Sequence, residues 1–447
     1  MAERLVVIGG VAAGMSAAAK AKRSRRDLEV VVYEKGGYIS YAACGLPYFL
    51  AGDVPKIEEL IVRTPEQMAK QGVEVKIHHE VTSVDARGRT VQVHDLQGDR
   101  SFEQAYDHLV IATGARPACP PLPGCELGGI FGLRSLESGL AVKQYLQENR
   151  PKKALIVGGG YIGVEMAETL RRLGLEVTML VRSGKVLRTT LDDDMREIVH
   201  GELMRHGVEI VEGPALGFEG DGEVEAVQTA SEEHACDTVI LGLGAEPNVD
   251  LARAAGVALG LTGAIATDNR MCTNLPGVYA AGDCAEAMHR VTGKPAWVPL
   301  GSTANKQGRV AGSNAAGKES SFEGILGTMI VRCFDLAVGV TGLTAVEARA
   351  AGCDVQETKI QASDLSHYIP GTADVHIKLV VDGGSGQLLG GQLVGPHRAI
   401  KRLDVLVAAV HNRMTVPELQ ELDLGYAPPF SPVWDPILVA ANVAAKD

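Results

Sequence analysis

At about 100–200 residues per domain, a chain of 447 residues holds two to four domains. Apolar residues at 46% and charged residues at 22% are ordinary for a globular chain and exclude wholesale disorder. A net charge of −12 with only 4% aromatics argues against nucleic acid as a partner, while 53 glycines suit tight turns and close backbone approach to a ligand.

No apolar run approaches the roughly 18 residues needed to cross a bilayer, and the start MAERLVVIGG enters a strand without a basic leader. No membrane association and a cytoplasmic location are therefore expected. Cysteines at 44, 119, 125, 236, 272, 284, 333 and 353 are irregularly spaced with no C-x-x-C pair. Neither a disulfide framework nor a metal site is expected, and most of these thiols read as packing residues.

Residues 4–8 (RLVVI) form an apolar strand running into Gly9-Gly10-Val11-Ala12-Ala13-Gly14. A helical stretch to about Arg26 follows, then the strand 29–33 and Glu34, 20 positions after Gly14. Strand, glycine turn, helix, strand and acid make a dinucleotide-binding unit: pyrophosphate approaches the helix N-terminus and the acid accepts from a ribose hydroxyl. Val11 stands where the second glycine usually stands. Lys20, Lys22, Arg23, Arg25 and Arg26 cluster on this helix. At about 100° per residue Lys22, Arg23 and Arg26 share one face, either a solvated basic face or an anion contact.

Next comes Ser40-Tyr41-Ala42-Ala43-Cys44-Gly45-Leu46-Pro47-Tyr48, ten residues past Glu34 at its cysteine. The segment after the second strand of such a unit returns toward the ligand. A helix starting near Cys44 would set its sulfur at a positive N-terminus and favour thiolate. The strand 109–111 leads through Ala112 and Thr113 to Gly114, a crossover between two nucleotide units.

The pattern then recurs. Residues 153–157 form a strand, Gly158-Gly159-Gly160-Tyr161-Ile162-Gly163 is a full G-x-G-x-x-G, and a helix runs to about Leu173. Two such units imply a flavin and a nicotinamide, the pairing that turns a hydride donor into electrons for another acceptor. The next strand ends Leu180-Val181-Arg182-Ser183 with no acid. Arg182 favours a 2′-phosphate, hence NADPH, or tolerance of NADPH and NADH alike. Residues 273–283 read as an apolar strand delivering Asp283 after Gly282, placed to accept from a flavin's ribityl hydroxyls. From 326 onward, strands at 336–340, 376–381 and 388–394, an amphipathic helix at 402–412 and the Pro-rich 426–432 suggest a separate α+β domain.

The segments IGGVAAG, SYAACGLPY, GGGYIGVE, GVYAAGD and GYAPPFSPVWDP resemble the pyridine-nucleotide-disulfide oxidoreductases, in their single-cysteine branch, and most closely the coenzyme A-disulfide reductases. The glutathione reductase branch has a second cysteine five residues after the first, where this chain has Phe49. Single-cysteine oxidases and peroxidases typically carry a His in the first glycine turn, where this chain has Val11, Ala12 and Ala13.

The resemblance implies an α/β fold with two Rossmann-like dinucleotide-binding domains, for FAD (1–113 and 246–325) and NAD(P) (114–245), plus a C-terminal α+β dimerisation domain (326–447). FAD would meet Gly9, Gly14, Glu34, Lys35, Thr113, Gly114, Arg134, Gly282 and Asp283. NADPH or NADH would meet Gly158, Gly160, Tyr161, Gly163, Glu165 and Arg182, with Tyr161 covering the flavin until nicotinamide displaces it and Glu165 orienting the carboxamide. Coenzyme A would meet Lys20, Lys22, Arg23 and Ser40. Tyr368 and Tyr426 would reach the bound thiol from the partner subunit of a homodimer. The implied reaction is NAD(P)H-dependent reduction of coenzyme A disulfide through a Cys44–coenzyme A mixed disulfide. Persulfide or polysulfide reduction ranks second, since such relatives often append a rhodanese-type domain and none precedes Asp447; an NADH oxidase ranks third.

Overall fold

The computed structural model describes residues 3–118 and 121–446, so Cys119, read above as a packing thiol, lies outside the described residues. RLVVI becomes the middle strand Arg4–Ile8 of a five-stranded parallel sheet. Its order is Val278–Ala280, His108–Ile111, Arg4–Ile8, Glu29–Tyr33, Glu74–Lys76. Leu5, Val6 and Val7 are fully buried because both faces are covered, as parallel sheets require. Leu5 and Val7 pack under the helices Ala12–Ser24 and Gly301–Ala315. Val6 and Ile8 pack under a three-stranded antiparallel sheet built from His79–Asp85, Thr90–Asp95 and Arg100–Ala105. The two helices touch where Gly308 and Gly312 face Ala13 and Ala17. A Cβ on either glycine would fall 2.2 Å from the facing alanine's carbonyl oxygen.

The chain leaves this sheet through Ala115–Pro117 and returns through Ala245–Pro247, which pair antiparallel. Between them lies a second parallel sheet, ordered Val208–Glu212, Glu176–Val181, Lys153–Val157, Thr238–Leu241, Ile130–Gly132. The third sheet is antiparallel: Met329–Cys333, Leu336–Gly342, Leu388–Pro396, Asp374–Asp382, Val355–Ser363. Helices Leu403–His411 and Pro436–Ala444 share its core.

An ion cluster centred on the buried Lys378 and Asp192 joins the third sheet to the second lobe. Lys378 Nζ lies 3.3 Å from Asp192, 2.9 Å from Asp194 and 2.6 Å from Glu357. Gln392 Nε2 donates to Asp192 at 2.6 Å.

Two local expectations change. The first helix ends at Ser24, because Arg25 turns extended (φ −142°, ψ 103°), so Arg26 leaves the face it was expected to share with Lys22 and Arg23. The apolar stretch 273–283 contains only a short strand, Val278–Ala280; a turn at Gly277 (φ +76°) precedes it.

Candidate dinucleotide and thiol site

The first glycine turn is set by backbone contact. Gly9 has φ +102°, and a Cβ there would lie 2.2 Å from the Ala112 carbonyl oxygen; a Cβ on Gly14 would lie 1.8 Å from the Gly9 oxygen. Val11, at the helix N-cap, has φ −100°, which any L-residue adopts, so a side chain is tolerated where glycine was expected. Glu34 accepts from the Gly10 amide at 2.6 Å and the Gly36 amide at 2.7 Å, which anchors the acid at the mouth of the turn.

This turn opens into a cleft of about 1590 Å³ walled by Gly9, Val11, Glu34, Lys35, Thr113, Gly114, Arg134, Gly282 and Asp283. The volume exceeds the roughly 300–1000 Å³ of drug-sized pockets and suits an extended dinucleotide. Arg134 Nη2 meets Asp283 Oδ2 at 2.5 Å across the cleft, and the Asp283 carbonyl accepts from Trp297 Nε1 at 2.9 Å. Thr113 and Asn248 exchange hydrogen bonds at 2.7 and 2.8 Å, tying the outgoing and returning crossovers together. A helix N-terminus, an acid anchored beside it and a second acid on the same cleft fit FAD on the first unit.

Cys44 opens onto the same cleft, as do Ser40 and Arg23. Ser40, at φ +47°, donates its amide to the Gly10 carbonyl at 2.8 Å, which holds the cysteine segment against the glycine turn. The expected thiolate-favouring helix terminus is not what Cys44 occupies. It sits in the 3₁₀ turn Ala43–Gly45, and the helix that follows, Leu46–Leu50, is short. Burial, with Glu165 and Asp283 adding negative charge, pushes the thiol above its ordinary range; Arg134 opposes them and loses. Phe49 is buried under Lys143, whose Nζ lies 3.7 Å from the ring centroid. The seven described cysteines are free thiols.

The second glycine turn lies outside the walls of this cleft. Gly158 has φ +119°, with a Cβ position 2.3 Å from the Gly242 oxygen, and a Cβ on Gly163 would meet the Gly158 oxygen at 2.4 Å. Gly160 caps the helix Tyr161–Arg172. Tyr161 packs among Leu46, Phe49 and their neighbours, and burial pushes its phenol up to about 12. Glu165, one turn on, is raised by burial to about 7 despite accepting from Tyr48 Oη at 3.1 Å. Arg182 is exposed in the turn after its strand.

Other expected residues are not brought to the cleft. Lys20 and Lys22 are absent from its walls, and Lys22 Nζ donates to the Leu28 carbonyl at 2.8 Å. Tyr368 and Tyr426 stand together on the third lobe, 60% and 48% exposed, and a hydrogen bond from the pair holds the Tyr426 phenol above its ordinary range. Neither walls the cleft of its own chain. Glu202, His206 and Asp335 sit close enough to suggest a metal, but Arg205 Nη2 already bonds Glu202 and Asp335 at 2.8 and 2.6 Å.

Sequence reasoning missed Tyr48 and Arg332. The Arg332 guanidinium lies 4.7 Å from the Tyr48 ring centroid and pairs with Asp53 and Glu168 at 3.0 and 2.7 Å. Tyr48 carried a local signal, four residues after Cys44; Arg332 comes from a distant strand and carried none.

Comparison with known proteins agrees with this architecture. Residues 3–308 match the pyridine nucleotide-disulphide oxidoreductase family, and residues 329–436 match that family's dimerisation domain. A Pyrococcus horikoshii protein named NAD(P)H coenzyme A polysulfide/persulfide reductase is 41% identical over 99% of this chain and 98% of its own length. A Staphylococcus haemolyticus coenzyme A disulfide reductase is 33% identical over 96% of each chain. Among solved structures, an engineered water-forming NADPH oxidase bound to NADPH, made from the Lactobacillus brevis NADH oxidase, superposes with a TM-score of 0.95 at 27% identity, covering 99% of this chain and 98% of that one.

Proposed function

The chain belongs to the pyridine nucleotide-disulphide oxidoreductase family, and on that premise we propose that it carries electrons from NAD(P)H through FAD to a coenzyme A-linked S–S bond, using Cys44 as its single sulfur nucleophile. The observation that carries the reading is Cys44 facing the cleft of Glu34 and Asp283, with Phe49 packed where a second thiol would stand.

FAD held in the first cleft would accept a hydride from the nicotinamide and pass two electrons to a sulfur centre. Gly9 and Gly14 let the pyrophosphate approach the helix, Glu34 takes the ribose, and Lys35, Thr113, Gly114, Arg134, Gly282 and Asp283 line the remainder. Cys44 thiolate attacks one sulfur of coenzyme A disulfide, forms the Cys44–S–S–coenzyme A bond and releases one coenzyme A thiolate, which takes a proton. Two electrons, with one proton, would then split the mixed disulfide into Cys44 thiolate and a second coenzyme A thiol. Desolvation, aided by Glu165 and Asp283, disfavours the Cys44 thiolate in the protein alone, so attack needs that cost offset. Arg23, on the first helix, and Ser40 are the wall residues placed for the coenzyme A phosphates; Lys20 and Lys22, on that helix but outside the cleft walls, are given no part in it.

On the nicotinamide side, Gly158, Gly160 and Gly163 would form the phosphate turn, Tyr161 would cover the flavin and Glu165 would meet the carboxamide. NADPH is favoured over NADH. The engineered oxidase carries Ala-Arg-Ser in place of Asp-Ala-Met, and Arg in place of a Pro five residues on. This chain carries Val181-Arg182-Ser183 and, five residues on, Arg188, both arginines exposed.

A homodimer is supported by the matched dimerisation domain and by exposed Tyr368, Tyr426, Phe430, Val433 and Trp434 on the same lobe. Within that dimer Tyr368 and Tyr426 would serve the partner's Cys44, protonating the departing thiolate. We divide the chain into FAD (1–113, 246–325), NAD(P) (114–245) and dimerisation (326–447) domains. No helix among the described residues is long and apolar enough to cross a membrane, and the free thiols suit a reducing cytoplasm.

A persulfide of coenzyme A is the second reading. The sequence ranked it lower for want of an added domain, but the persulfide reductase relative is spanned for 98% of its length, so that criterion does not separate the two. Intact mass under non-reducing conditions tests the centre: one reducible coenzyme A adduct, absent from Cys44→Ser, is expected. Cys44→Ser should still take electrons from NADPH and lose disulfide turnover; unchanged turnover overturns the mechanism. Equal loss of NADPH with oxygen alone would point to an oxidase.

A further inference from the structure

Glu165 has an unusual setting for an acid meant to meet a nicotinamide. Among the described residues it has no ion pair, and its side chain accepts one hydrogen bond, from Tyr48. The nearby cation is committed elsewhere: Arg332 binds Asp53 and Glu168, and Asp53 is held again by Arg172 at 2.5 Å. What Arg332 offers Tyr48 is its guanidinium face, 4.7 Å from the ring centroid, within cation–π range.

Three segments therefore converge. The helix Leu46–Leu50, just past Cys44, carries Tyr48; the helix Tyr161–Arg172 carries Glu165 and Glu168; the strand Met329–Cys333 of the third sheet carries Arg332. Thr169 Oγ1 donates to the Pro47 carbonyl at 3.1 Å, so the two helices are also tied beside the pair. The charged and titratable groups facing Glu165 are Tyr48, Arg332, Glu168 and, across the turn, Cys44.

We propose that Tyr48 is a positioning residue for hydride transfer: its hydroxyl fixes one oxygen of Glu165 and leaves the other for the amide of the incoming nicotinamide, while Arg332 stacked on its ring fixes Tyr48. The proposal rests on the reading of Glu165 given above and adds the residues that aim it. It also links the third sheet to the nicotinamide site, through one ring and one hydroxyl.

The test uses the FAD-loaded protein. Tyr48→Phe keeps the ring under Arg332 and deletes only the hydroxyl. NADP⁺ binding to the oxidised protein, followed by calorimetry, should weaken about fivefold to tenfold, the scale of one hydrogen bond to a charged or partly charged group. The pH midpoint of single-turnover flavin reduction should move upward, because the lost hydrogen bond had favoured the Glu165 carboxylate. Tyr48→Phe combined with Glu165→Gln should be no worse than Glu165→Gln alone. Arg332→Gln, which keeps polar contacts to Asp53 and Glu168, should show a smaller loss in the same direction. Wild-type NADP⁺ affinity with an unmoved pH midpoint in Tyr48→Phe, or losses that multiply in the double variant, overturns the proposal. A wild-type flavin that NADPH does not bleach overturns the functional reading itself, a different outcome.

Discussion

Arg134 and Asp283 meet at 2.5 Å although 149 positions separate them, because one precedes a helix entering the second lobe and the other follows the last strand of the first sheet. The pair lines the same cleft as Glu34. A carboxylate bonded to a guanidinium through one oxygen can still accept a hydroxyl with its second oxygen.

Replacing Asp283 by Ala should therefore leave the fold intact and weaken FAD retention about tenfold or more, the cost of one charge-assisted hydrogen bond. The ratio of flavin to protein absorbance after dialysis measures it. Full flavin content after exhaustive dialysis would show that Asp283 does not hold the cofactor.

Cys44 should alkylate slowly at neutral pH in the protein stripped of flavin. Its folded value is raised, so the reactive thiolate appears only as pH climbs past the ordinary thiol range. Glu165→Gln removes one of the charges responsible and should shift the alkylation profile downward. A wild-type inflection below that of a free thiol would contradict the electrostatics described here.

Removing both Arg182 and Arg188 should change nucleotide choice more than rate. Each guanidinium is expected to supply a charge-assisted bond to a 2′-phosphate, so Arg182→Ala with Arg188→Ala should lower kcat/KM for NADPH about tenfold or more and leave NADH within about twofold. Parallel losses for both nucleotides would assign these arginines to something other than the phosphate.

Lys378→Met should destabilise without touching chemistry. The lysine side chain is 5% exposed and pairs with Asp192, Asp194 and Glu357; only Asp192 is buried, and removing the lysine leaves that carboxylate without its cation at a cost of about 3 kcal/mol. Thermal or denaturant unfolding of the holoprotein reads this directly. The loss should shrink at acid pH: the lysine holds Glu357 below the ordinary carboxylate range, so its contribution is present above that range and fades as the acid protonates.

Much of this was legible because it is local. Gly9, Gly14, Gly158 and Gly163 are dictated by backbone contacts within a strand–turn–helix unit, and Glu34 follows at a fixed distance along the chain. The failures are tertiary. The electrostatic setting of Cys44 depends first on desolvation in the cleft and then on Glu165 and Asp283, brought to it by two other segments, none of which its own helix end reveals. Lys22 looked free from its helical position, yet Leu28 claims it. Val11 departed from the glycine pattern harmlessly, since its φ is one that a side chain accepts.

Asp53, Glu168 and Arg332 belong to three separate stretches of chain, and the buried member, Glu168, has its shortest ion pair with Arg332, whereas Asp53 keeps Arg172 if Arg332 is lost. In descendants of this sequence a neutral residue at 332 should therefore arrive together with a neutral residue at 168, with position 53 free to stay acidic, and a chimera that takes its third sheet from a diverged relative should fail at this junction before it fails anywhere in its own core.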